Sequence, residues 1–280
     1  MNDLSRALIA GAVVLVVGGS AYVWWQERQA VALPPLAAAT PAPATHEAAA
    51  SAAVPPHYGV EAITPPLAAA PLPPLTDSGS DLRAALVDVL GRQQVLSFLD
   101  VSDFPRRLAA TVDNFARAHA ASRLWPVLPA PGRFSVSERG GVTYMADANA
   151  DRYKPFVRFV SAIDTDAAVA LYVRMYPLLQ QAYVSLGYPE QYFNNRVVEV
   201  IDVLLATPEL HGPLPVTLID VKGPHEMQRP WVRYEYVDAT LEARPAGQKM
   251  LLRMGPENAR QLKAKLRDFR QRVAGGEVGR

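Results

Sequence analysis

Between Ala7 and Trp25 the chain reads ALIAGAVVLVVGGSAYVWW without one charged side chain. At about 1.5 Å per residue, a helix of that length covers roughly 28 Å, close to the ~30 Å hydrocarbon thickness of a bilayer. Tyr22, Trp24 and Trp25 gather at one end, the level at which amphipathic rings meet lipid headgroups. The run is apolar on every side, which suits lipid better than the half-wet surface of an ordinary core helix. It therefore reads as a transmembrane anchor. A cleaved signal peptide is the competing reading, because Ala30-Val31-Ala32 has the small-residue spacing of a cleavage site; Gln26-Glu27-Arg28 separates it from the apolar run. Arg6 and the α-amine precede the run, and after Arg28 no Lys or Arg occurs until Arg83. A long stretch poor in basic residues is readily translocated, so the pattern predicts an N-in, single-pass protein of a bacterial inner membrane, with its C-terminal part in the periplasm.

The next segment bars regular structure for a different reason. Of the 25 prolines in 280 residues, Pro34, Pro35, Pro41, Pro43, Pro55, Pro56, Pro65, Pro66, Pro71, Pro73 and Pro74 crowd the stretch before residue 76. Proline fixes φ and lacks an amide donor, so neither a helix nor a sheet runs through such a stretch. Local polyproline II is expected, with a reach of about 140 Å extended and about 40 Å as a coil. The division predicted is a flank at 1–6, an anchor at 7–25, a disordered Pro/Ala-rich linker at 26–76 and one globular domain at 77–280. Pro71-Leu72-Pro73-Pro74-Leu75 also fits a docking motif, although a spacer is the simpler use of such composition. His46 and His57 fall in this linker, where solvation is expected.

The domain reads as mainly α, an α+β fold with a small β-hairpin and a second short strand pair. Ser80 is a candidate cap for a helix to Leu90 that stops at Gly91, and Ser102 for one reaching about Ala118, with Leu108, Val112 and Phe115 inward. From Arg133 to Ala146 the apolar period changes to two. A three-residue loop with Gly141 left-handed would place Phe134, Val136, Val142 and Tyr144 on one face. Tyr153, Phe156, Val157, Val160 and Ile163 recur at helical spacing. Asp164 or Thr165 starts a long helix to Leu186, apolar on most sides and so central, with a kink expected at Pro177. Pro189 is read as opening the next helix, to about Ala206. Val216 to Val221 and Trp231 to Val237 read as strands. A short helix from Pro245 to Met254 and a last one opened by Gly255-Pro256-Glu257 close the chain, the latter with Ala259, Leu262, Leu266, Phe269 and Val273 inward.

Few residues suggest chemistry. There is no cysteine, which excludes disulfides, thiolate zinc sites and cysteine nucleophiles. The charges nearly cancel, 28 basic against 27 acidic, so no chain-wide field points to nucleic acid. Phosphate-loop, HExxH and GxSxG patterns are missing, and His119, His211 and His225 lack metal-ligand spacing; neither a cofactor nor a metal is called for. The polar cluster Asp113, Asn114, Asn194, Asn195 and Arg196 stands out, because asparagine is a poor interior helix residue. It reads as a ligand site or as a hydrogen-bond network joining helices, with Arg196 able to pair with Glu199. Asp113, Asp164, Glu199 and Asp202 are acids available for glycan chemistry, with spacing that only the fold decides. Between Arg244 and Arg272 basic residues dominate; Arg260, Lys263, Arg267 and Arg270 are candidates for a face toward an anionic polymer or lipid, or for a merely solvated surface.

Several segments together carry a resemblance: PLPPL at 71–75, TVDNFAR at 111–117 with RLWP at 123–126, LYVRMYPLLQQAYVSLGYP at 171–189, YFNNRVVEVIDVLLATP at 192–208 and GQKMLLRMGPENARQLKAKLR at 247–267. The combination resembles the bacterial membrane-anchored family catalogued as domain of unknown function 3014. That resemblance implies a proteobacterial envelope setting and supplies no catalytic or binding residue. The expectation is a non-enzymatic binding or scaffold domain on a flexible tether, with an envelope protein or anionic polymer as partner. The alternative is an enzyme that modifies cell-wall glycan or peptide.

Overall fold

The computed structural model describes residues 58–60, 63, 79–219 and 230–274. Among them no helix is long and apolar enough to cross a membrane; the expected anchor at 7–25 and most of the linker lie outside the described residues. The domain is mainly helical, with two small antiparallel strand pairs. In chain order the elements are α1 (Gly79–Leu90), α2 (Arg92–Phe98), α3 (Phe104–Phe115), β1 (Val136–Arg139), β2 (Val142–Met145), α4 (Ala148–Asp151), α5 (Lys154–Ala162), α6 (Thr165–Ser185), α7 (Phe193–Leu205), β3 (Val216–Leu218), β4 (Tyr234–Tyr236), α8 (Ala239–Glu242), α9 (Ala246–Arg253) and α10 (Pro256–Val273).

The long helix α6 sits where its composition requires. Asp164 caps it by accepting the Ala167 amide at 2.8 Å. Val169, Leu171, Tyr172, Met175, Leu179 and Tyr183 are buried, and Pro177 lies within the helix. α3 packs on α6 and α7, and α10 packs across α5, α6 and α7. The main core joins α1, α3, α6 and α7 with Ile63 and with Val273 of α10. A second cluster lies between α5, α7, α9 and α10 and includes Val157, Val200, Leu204 and Leu251. A third fills the space under the strands with Val216, Tyr236, Leu241 and Leu252, against Phe134, Val136 and Met145.

Local expectations fail at several places, each for an identifiable reason. Gly91 does end α1, but a second helix, α2, restarts at the next residue. Ser80 lies inside α1 rather than capping it, and Ser102 turns back to donate its amide to Asp100 at 3.1 Å, leaving Asp103 as the α3 cap at a φ of 50°. The hairpin loop has two residues, not three. Gly140 and Gly141 have φ of 58° and 77°, and Arg139 pairs with Val142. Two adjacent glycines make the tighter turn available, since both central positions need positive φ and the resulting twist matches that of the strands. The shorter loop moves Val142 to the surface, 41% exposed, and pairs Val136 with Met145 over the third core. α7 begins at Phe193 rather than at Pro189. Its start is set from another helix: Gln180 of α6 accepts the Phe193 amide at 2.8 Å and donates to the Gln191 carbonyl at 2.7 Å.

Backbone contact is closest at α9. A methyl group on Gly247 would stand 2.5 Å from Leu204 Cδ2 and 3.1 Å from the Phe115 carbonyl oxygen. That glycine lets α9 lie against α3 and α7.

Residues assigned to the linker by sequence, Tyr58, Gly59, Val60 and Ile63, are seated on the domain. Gly59 and Ile63 are buried, and Tyr58 and Val60 pack against the main core. The proline pattern of their neighbours hides four residues that have enough apolar surface to dock.

Candidate functional site

The polar residues singled out in the sequence separate into two clusters. In the first, Asp113 of α3 meets Arg196 of α7. Asp113 Oδ1 accepts from Arg196 Nε at 3.1 Å, and Oδ2 accepts from Arg117 Nη2 at 2.7 Å and from the Tyr188 hydroxyl at 3.3 Å. Arg196 also donates to the Asp113 carbonyl at 2.9 Å and to Glu199 at 2.8 Å. Burial works against the Arg196 charge, but the Glu199 hydrogen bond and the Glu199 and Asp113 carboxylates outweigh it and hold its pKa above the ordinary guanidinium value. Tyr183 stacks on Tyr188 with ring centroids 4.5 Å apart, and burial pushes its phenol up to about 12 against the opposing pull of Arg196. A carboxylate already engaged by two guanidinium groups and a phenol is arranged as a pin between α3 and α7. A general base needs a lone pair free for substrate. No hydrogen bond ties the Asn114 side chain to this cluster among the described residues.

The second cluster faces elsewhere. Asn194 is fully buried; its Oδ1 accepts from the Tyr172 hydroxyl at 2.9 Å, and its Nδ2 donates to the carbonyls of Val273 and Tyr58, both at 3.0 Å. Asn195 Oδ1 accepts the Tyr58 amide at 2.8 Å. Adjacent asparagines in the sequence thus act on the same short segment.

The basic residues of α10 are largely turned inward or paired. Lys263 is 5% exposed, and its ammonium donates to the Thr207 carbonyl at 2.8 Å, just past the end of α7. Lys265 donates to the Ile163 carbonyl at 2.5 Å, at the end of α5. Cations placed at the carbonyl ends of two helices satisfy orphan acceptors and oppose the negative dipole ends. Arg270 forms a two-point pair with Asp202 at 2.5 and 2.8 Å, and Arg260 pairs with Glu257 at 2.5 Å. Of the four candidates Arg260, Lys263, Arg267 and Arg270, Arg267 is the exposed one with no ion pair among the described residues.

A cavity that no sequence signal marked lies where the second and third cores meet. It has a volume of about 210 Å³ and is lined by Met145, Leu210, Leu214, Leu251, Leu252 and Ala259, with Asp147, Glu209, Arg253 and Lys263 as its charged members. Arg253 is held by the Tyr234 carbonyl at 2.7 Å and lies over the Tyr236 ring. Lys263 makes one hydrogen bond, to Thr207, and an ion pair with Glu209 at 3.7 Å. An ammonium has three donors. The wall is therefore largely apolar, with one buried lysine, ion-paired to Glu209, whose donors are not all hydrogen-bonded. The single trace in the sequence is Pro208 to Pro213, a loop joining a helix to a strand, which reveals nothing of what it covers.

A shallower depression beside His119 is lined by Glu235, Glu242 and Lys249. Burial favours the neutral form of Glu242, but Lys249 at 2.6 Å and the Tyr236 amide at 3.0 Å hold its carboxyl below the usual range. Among the described residues no group of His, Asp or Glu is placed to hold a metal ion.

A family model described as Protein of unknown function (DUF3014) matches residues 104–270, more than half of the chain. No curated protein and no solved structure matches it.

Proposed function

We propose, for a chain that belongs to the family described as Protein of unknown function (DUF3014), that it is an envelope protein anchored by residues 7–25, with a periplasmic helical domain that binds a partner rather than transforming a substrate. The cavity beside Lys263 carries this reading. Small-molecule sites commonly measure about 300–1,000 Å³. At about 210 Å³ the cavity suits one side chain or one chain terminus of a protein partner. Its largely apolar wall supplies burial, and the Lys263 donors not bonded to Thr207 suit a carbonyl on the inserted group. The engagement of Asp113 by Arg117, Arg196 and Tyr188 supports the same preference over acid–base chemistry. The inward use of the α10 lysines favours a protein partner over an anionic polymer.

The test is a photo-crosslinking amino acid at Leu210 in the full chain in its own membrane, with Ser161 on the exposed side of α5 as control. A discrete adduct from Leu210 and none from Ser161 is expected. No adduct from either position, or the same products from both, would overturn the reading. For the orientation, an alkaline phosphatase fusion near Asp77 should be active; a fluorescent cytoplasmic reporter at that point would reverse it.

A further inference from the structure

We propose that the surface formed by the start of α7 and the end of α10 is a binding site for a short peptide segment, and that Tyr58, Gly59, Val60 and Ile63 are its ligand in cis. This surface shares no residue with the cavity beside Lys263.

The recognition is of backbone. The amide of Tyr58 donates to Asn195 and its carbonyl accepts from Asn194, at 2.8 and 3.0 Å, so neighbouring side chains hold both polar groups of one residue. Such a clamp reads the two backbone groups rather than the side chain between them. Asn194 is held in place from within the domain, because Tyr172 fixes its oxygen and the Val273 carbonyl at the end of α10 holds its amide nitrogen. Beyond the clamp, the Ile63 amide donates to the Val60 carbonyl at 3.0 Å, and this turn drops Ile63, 5% exposed, into the main core beside Tyr58 and Val60. The site therefore reads a polar backbone first and an apolar side chain five positions later. Asn194 and Asn195 fall within the family-matched stretch, whereas the residue they hold lies before it. Site and occupant are thus separable parts of one chain.

A short connection between occupant and site gives an effective concentration on the order of millimolar. A free peptide with the same contacts must reach that concentration to compete, so the site is closed to dilute ligands until the cis segment lets go. A partner that displaces it would present a segment able to turn after the clamped residue, with an aliphatic β-branched residue five positions beyond it.

The experiment uses the full chain and a fluorescein-labelled peptide covering residues 57–64. With micromolar peptide, the wild-type chain should show little change in polarisation, because its own segment fills the site. Ile63→Asp, which expels that segment, should give saturable binding, weakened at least tenfold when Asn195→Leu is added. An Ile63→Asp chain that keeps its helical circular dichroism and takes up no peptide would overturn the proposal, as would an Asn195→Leu change without effect on peptide affinity. Hydrogen exchange covers the case in which Ile63→Asp fails to fold. In the wild-type chain the Tyr58 amide should be protected, and Asn195→Leu should release it while α6 stays protected. Exchange of Tyr58 at the free-chain rate in the wild type would also overturn the proposal.

Discussion

The two longest helices solve the same packing problem in opposite ways. α6 is apolar on most sides and is buried by matching side chains, with Leu179 and Val169 at 0% and 1% exposure. α10 carries Arg260, Lys263, Lys265, Arg267, Arg270 and Arg272, yet it too packs on four other helices. It does so by placing its ammonium groups on carbonyls that helices α5 and α7 leave without partners. A basic helix in a sequence is therefore ambiguous between a surface for anions and a set of internal caps. Which it is depends on where the ends of its neighbours fall.

Stability measurements can break that contrast. Leu179→Ala, in the middle of α6, should be the most damaging change, costing about 3 kcal/mol through lost transfer energy and a residual cavity. Chemical denaturation would show it; a loss under about 1 kcal/mol would mean that α6 is not the packed centre. Lys263→Ala should come next, at about 2 kcal/mol, because the buried Thr207 carbonyl loses its donor and the lysine stem loses its packing. If that variant matched the wild type, the internal-cap account of α10 would fail. Alkaline pH should separate the two helices further. Burial raises Tyr183 to about 12 and Tyr172 well above its ordinary value. A phenol whose folded pKa exceeds its unfolded one contributes its full stability below about pH 10, and that contribution is lost as the pH rises toward the folded value. The slope is at most about 1.4 kcal/mol per pH unit for each tyrosine. Thermal melts between pH 10 and 12 should fall steeply, and less so in Tyr183→Phe. The smallest effect belongs to Arg270→Ala. Its pair with Asp202 is partly solvated, with side-chain exposures of 31% and 50%, so a loss of about 0.5 kcal/mol that shrinks with added salt is expected.

Much of the helical framework was legible because its signals are local. Asp164 caps α6 where an acid precedes a long apolar-periodic run, and Pro256 opens α10 from its first turn. Asp113 and Arg196 stood out only through their asparagine neighbours within amphipathic helices; that they meet at 3.1 Å was not readable. Other features had no local signature. α7 starts at Phe193 because Gln180, on another helix, supplies its cap. The docking of Ile63 depends on a core built mostly by helices far along the chain. The cavity is left over where two clusters fail to fill the space between them, a property of volumes that no single segment carries.

By itself the sequence determined the apolar run at its start, the crowding of proline before residue 76, and the positions and faces of most of the long helices. These follow from solvation and from φ/ψ limits that act over a few residues. Tertiary structure alone decided which charges face solvent, which lysines close the ends of other helices, and that four residues of the expected linker belong to the domain. The reason is distance: each of those outcomes depends on acceptors and apolar surface supplied by elements far away in the chain, and their positions exist only once the helices have packed.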